Sequence, residues 1–146
     1  MSSRILTIAV DFDGTIVEHR YPEIGEILPE AFEVLRELQE NGHRLILWTL
    51  RDGIDLESAV NFCLDNGIIF YAVNHSKPDE EFNKYISRKI DVDYFIDDRN
   101  IGGFMGWDKI RELLIPDSPN IKKVTDETST TQPQKKKRNF LFGKKS

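Results

Sequence analysis

The chain has 146 residues, 39% of them apolar and 31% charged, with a net charge of −5. That length fits one compact domain with a modest core, and no apolar run approaches the ~20 residues of a membrane span. The charge is uneven: residues 116–146 carry eight Lys/Arg against three Asp/Glu, so residues 1–115 are strongly acidic. An acidic body argues against nucleic acid as a partner and suits carboxylates gathered around a cation.

In chain order, Ile5–Val10 is a short Ile/Val-rich run that reads as a buried strand. It is too short for a signal-peptide apolar region, and Cys63 is the lone cysteine, so a reducing, cytoplasmic location is expected. Pro29–Gln39 has helical spacing through Phe32, Leu35 and Leu38, with Asn41-Gly42 as the stop. Arg44–Thr49 reads as a second strand. Asp55–Asp65 is a second helix, with Cys63 on its apolar side, and Ile68–Val73 a third strand. Asp79–Arg88 predicts a weaker helix, Tyr94–Ile96 a fourth strand, and Trp107–Leu114 a last helix before Pro116.

Strands alternating with helices predict an α/β fold, a doubly wound, Rossmann-like, mainly parallel sheet covered on both faces. Residues 1–115 form the expected domain. Residues 116–146, polar and then basic, read as a disordered tail whose Phe140, Leu141 and Phe142 are a candidate contact for an acidic partner or membrane surface.

In a parallel sheet, ligands bind beyond the carboxyl ends of the strands. The first strand ends in Asp11-Phe12-Asp13-Gly14-Thr15, the second in Thr49-Leu50-Arg51, and the fourth in Asp97-Asp98-Arg99-Asn100, with Lys89 just before it. Crowded carboxylates require a hard cation, and phosphate is a substrate that completes its shell. Alternation along an extended strand puts Asp11 and Asp13 on the same side, so one can attack phosphorus while the other handles protons. Gly14 lets the chain turn close to that point. Arg51 and Arg99 are candidates to hold substrate phosphate bidentately, or surface ion-pair partners. Lys77 competes with Lys89 for the cationic role, and His19 is the histidine to test for substrate contact. Trp107 is a candidate for the pocket rim or for packing at a helix start.

With these residues in view, the chain resembles the haloacid dehalogenase-like superfamily, and within it the small capless bacterial phosphatases. DFDGT matches the first family motif, Thr49 the second, Lys89 the third and the acidic pair of FIDDRN the fourth, in order over about residues 4–115. The resemblance implies Asp11 as nucleophile and Asp13 as acid/base, the Asp13 backbone carbonyl also binding Mg²⁺. It further implies Thr49 on phosphate, Lys89 beside the nucleophile, and Asp97 and Asp98 holding the metal directly or through water. Gly14, Leu50, Arg51 and Arg99 complete the expected substrate contacts. An acid at position 13 points to phosphate esters, since dehalogenases of the superfamily lack it. The 35 residues between Asp13 and Thr49 leave no room for a cap. The site is therefore expected to be open, shielded by the Ile16–Ile27 flap or by a neighbouring subunit. The family's strand order is fifth-fourth-first-second-third, with Ile121–Val124 a candidate fifth strand.

The function implied is Mg²⁺-dependent hydrolysis of a small phosphomonoester through an aspartyl-phosphate. A phosphotransferase, a receiver-like phospho-accepting module and a non-catalytic scaffold are the rivals. In receivers, however, the acidic pair precedes the phosphorylated Asp, whereas here it comes last.

Overall fold

The computed structural model describes residues 4–123. Four strands, β1 (Thr7–Val10), β2 (Arg44–Leu47), β3 (Ala72–Val73) and β4 (Tyr94–Ile96), form one sheet in the order β3-β2-β1-β4. Every pair is parallel: Val10 lies opposite Leu47 on one side and Ile96 on the other. The helices are α1 (Ala31–Glu40), α2 (Gly53–Asp65) and α3 (Trp107–Leu114). The fold is thus a Rossmann-like α/β sheet, and no extra domain interrupts the described residues.

The pleat explains the two cores. Ile8, Val10, Leu45, Leu47 and Ile96 point to the face where Leu35 and Leu38 of α1, Ala59 and Cys63 of α2, and Trp107 and Ile110 of α3 pack. Ala9, Ile46 and Ala72 point the other way and meet Ile90, with Trp48, Tyr71 and Val92 around them. The second face is therefore covered by the β3–β4 connection, which contains no helix. The expected helix over Asp79–Arg88 is replaced by isolated turns, closed by Glu80 N–H to the Lys77 carbonyl and Ile86 N–H to the Asn83 carbonyl. Phe82 and Tyr85 are 60% and 85% exposed, so a helix here would gain little burial to support it.

The strands are shorter than their apolar runs because side chains capture the flanking amides. Leu6 N–H goes to His43 Nδ1 and Thr7 N–H to Asp93 Oδ2, so β1 starts late. Thr49 N–H goes to Asn74 Oδ1 and Ile69 N–H to Gln39 Oε1, which trims β2 and β3. The candidate fifth strand is not formed: Ile121 N–H turns back to the Ser118 carbonyl, and Val124 lies outside the described residues. Past Ile115 the chain stays on α1 for a few residues, with Ser118 and Asn120 both donating to the Glu37 carboxylate. The same carboxylate accepts from buried Arg111, whose other partner is Glu30. The expected tail begins at Pro116; its residues 116–123 are described, and 124–146 lie outside the described residues. No helix of the described residues is long and apolar enough to cross a membrane.

One long-range contact ties the helical layer to the loop after β1. The Trp107 indole, 2% exposed, donates from Nε1 to the Thr15 carbonyl at 2.7 Å. Of the two roles weighed for Trp107, packing at a helix start is the one it takes. Replacing Trp107 with Phe leaves that buried carbonyl unpaired, so a loss of about 1–3 kcal/mol in urea unfolding is expected.

Candidate active site

The ladder between β1 and β4 runs one step past the strands, because Asp11 N–H still donates to the Ile96 carbonyl at 2.9 Å. The side chains that follow each strand are thereby brought to one edge. One carboxylate oxygen each of Asp11, Asp97 and Asp98 lie within 4.8 Å of one another. The chain then folds back at once. The amides of Ile16 and Val17 return to the Phe12 carbonyl, and Gly14 takes φ +82°. That turn runs directly under Asp98: a methyl group at Gly14 would lie 2.2 Å from Asp98 Oδ2. Glycine is needed here for both its positive φ and its missing side chain.

Thr15 Oγ1 donates to Asp11 Oδ2 at 3.0 Å. Asp97 Oδ1 accepts the Arg99 amide, and the Asn100 side chain donates to the Asp97 carbonyl, which fixes the turn after β4. The Asp11 carboxyl is pushed up from 3.8 to about 7, chiefly by burial, then by the charge of Asp97 and a hydrogen bond with Asp98; Thr15 and the Phe12 backbone oppose this. Three hard oxygen donors at this spacing, one of which holds a proton to relieve repulsion, form a candidate metal site for an oxygen-seeking divalent cation.

An open cavity of about 530 Å³ lies in front of this group. Asp11, Asp13, Thr49, Leu50, Arg51, Asp97 and Arg99, all named from the sequence, line it. His19 and Tyr21 reach it from the flap, and Trp48 from the end of β2. The two ends of the flap are joined to each other by a bridge between Val17 and Ile27 and by the Glu18 amide on the Glu26 carbonyl.

Three named residues sit differently from their expected places. Lys89 is exposed and does not line the cavity, and the same holds for Lys77. Ile90 is buried in the second core, so its neighbour Lys89 turns outward. Arg51 is 2% exposed and donates to Asp13 through Nε and Nη2, both at 2.7 Å. Its remaining N–H groups go to the carbonyls of Pro22, Glu23 and Asp55, so a phosphate could gain a direct contact only by displacing one of these.

Sequence reasoning passed over Asn74 and Tyr21. Asn74, in the left-handed region at φ 54°, accepts the Thr49 amide and so sets the residue that carries the second motif. Its signal was its place directly after β3, in a residue type that tolerates this conformation. Tyr21 lies over the Arg51 guanidinium at 5.1 Å, with Phe12 near its centre at 5.0 Å, and no local pattern announces that.

Two outcomes follow. Gly14→Ala should weaken Mg²⁺ binding about 10- to 100-fold in calorimetry, because the added methyl displaces Asp98. The raised Asp11 pKa means that the folded state keeps a proton the unfolded chain sheds near 3.8. Its contribution to stability is complete below that pH and is lost as pH rises through about 7. In chelator, the melting temperature of the wild type should therefore fall relative to Asp11→Asn between about pH 4 and pH 7, and Mg²⁺ should reverse the fall in the wild type alone.

No family model and no curated protein matches the chain. A solved structure does, described as that of a conserved protein coded by a locus of Bacteroides thetaiotaomicron. It is 50% identical, with a TM-score of 0.73 over 79% of this chain and 93% of that one. Identity at that level over most of both molecules makes the chain a member of the same family as this Bacteroides thetaiotaomicron protein.

Proposed function

We propose that the protein is a Mg²⁺-dependent phosphomonoester hydrolase of the haloacid dehalogenase-like type, working through an aspartyl-phosphate on Asp11. The observation that carries this reading is the convergence of Asp11, Asp97 and Asp98 within 4.8 Å at the mouth of a cavity that also holds Asp13 and Thr49. A divalent cation held by those three carboxylates would remove their mutual repulsion, freeing Asp11 as an anion, and draw charge from the phosphoryl oxygens.

The chain's own groups supply the rest. An Asp11 carboxylate oxygen attacks phosphorus, the ester P–O bond breaks, and Asp13 gives a proton to the leaving oxygen. Asp13 then takes a proton from water as the water oxygen attacks phosphorus, which releases phosphate and restores Asp11. The Thr49 hydroxyl accepts the Arg51 amide at 3.1 Å and keeps its own proton to donate to a phosphoryl oxygen. Arg99 is the cation on the cavity wall with side-chain donors to offer, and Lys89 joins it only through a rearranged β3–β4 connection. The open mouth, with Trp48, Tyr21 and Leu50 beside it, admits bulky esters.

Turnover of p-nitrophenyl phosphate with Mg²⁺, abolished by chelation, is the expected behaviour. Asp11→Asn and Asp13→Asn should each lose at least ~10²-fold in rate. Full activity in Asp11→Asn removes the nucleophile assignment. A phosphoprotein that persists for minutes after acetyl phosphate favours the receiver-like rival, and absence of any turnover favours a scaffold.

A further inference from the structure

We propose that Arg51 is a positioning residue for Asp13, and that it makes the placement of that carboxylate depend on the backbone of the flap. This deepens the phosphohydrolase reading and rests on it for the role of Asp13 in proton transfer.

The first feature of this arginine is saturation. A guanidinium has five N–H groups: here four reach both Asp13 oxygens and the carbonyls of Pro22 and Glu23 at 2.7–3.0 Å, and the fifth makes a long 3.5 Å contact with the Asp55 carbonyl. The second is confinement: Phe12 and Tyr21 lie near the guanidinium at 5.0 and 5.1 Å, and the Arg51 side chain is 1% exposed. A group so enclosed has no free donor to turn toward an incoming phosphate. The third is origin. Arg51 follows β2, Asp13 follows β1, Pro22 and Glu23 belong to the flap, and Asp55 to α2. One planar fork therefore joins four segments.

For the chemistry, a bidentate pair fixes the carboxylate plane while leaving each oxygen a further lone pair. Asp13 is thus oriented without being blocked, and proton transfer to a leaving oxygen gains from that orientation. Lysine offers a point charge on a flexible stem and cannot copy the fork.

The test compares wild type, Arg51→Lys and Arg51→Met on two esters, an alkyl phosphate and p-nitrophenyl phosphate, with melting curves and crystal structures of each. An alkoxide must be protonated as it leaves, whereas p-nitrophenolate leaves well without help. Both variants should lose ~10²-fold or more in kcat/KM on the alkyl ester but under ~10-fold on the aryl ester, because kcat/KM reports the steps up to departure of the alcohol and not the later water attack, and Asp13 should be turned from its wild-type position. Equal losses on both esters, or an Asp13 carboxylate unmoved in the variants, overturn the proposal. If Arg51→Met does not fold, Arg51→Lys, which keeps charge and stem, decides by the same ratio. A wild type that hydrolyses neither ester removes the phosphohydrolase reading instead, and the position of Asp13 in the variant crystals still decides whether Arg51 places it.

Discussion

Carboxylate crowding at the end of two neighbouring parallel strands is the constraint on which this molecule is built. Because β1 and β4 are hydrogen-bonded partners in register, whatever follows Val10 and Ile96 must meet. Asp11 and the Asp97-Asp98 pair do follow them, so the fold concentrates like charges where hydration is already reduced. Left alone this is unfavourable, and Asp11 responds by holding a proton to about 7. The nearby details are adjustments to that one stress: the Gly14 turn that clears Asp98, the Thr15 hydroxyl on Asp11, and the amide of Arg99 on Asp97. A site that is costly for the empty protein is well prepared for a cation, since binding removes the repulsion that folding created.

The same edge separates two kinds of carboxylate by what neutralises them. Asp11, Asp97 and Asp98 face one another. Asp13, only two residues from Asp11, instead faces a buried arginine and is held in a fixed ion pair. Alternation along the strand brings both to one side, but their electrostatic surroundings differ. Distinct surroundings are what permit two aspartates of the same motif to do different chemistry.

Much of this was legible in the residues. The parallel α/β sheet follows from alternating apolar runs and helical spacings, whereas its order, with the first strand between the second and the fourth, came from the family resemblance. The gathering of Asp11, Asp13, Thr49 and Asp97 follows from asking what ends each strand. Legibility failed where the answer depended on packing rather than on pattern. Lys89 has the right chemistry and the right interval, but Ile90 beside it is drawn into the second core and sets the opposite facing. The Asp79–Arg88 stretch has acceptable helix formers yet no surface on which to bury them. Arg51 looked free for phosphate because a sequence does not reveal that three carbonyls and two aromatic rings wait for it. Tyr21 and Asn74 act through shape and a single unusual backbone angle, and neither leaves a periodic trace.

The bond from the Trp107 indole to the Thr15 carbonyl spans 92 residues of sequence. During synthesis, the loop that carries Asp11 and Asp13 emerges before α3, yet it lacks this buttress until α3 has left the ribosome. A chain halted before that point would display the acidic motif with one of its buried carbonyls bare. The corner that holds Asp11 and Asp13 is therefore made before α3 but buttressed only when α3 packs against it.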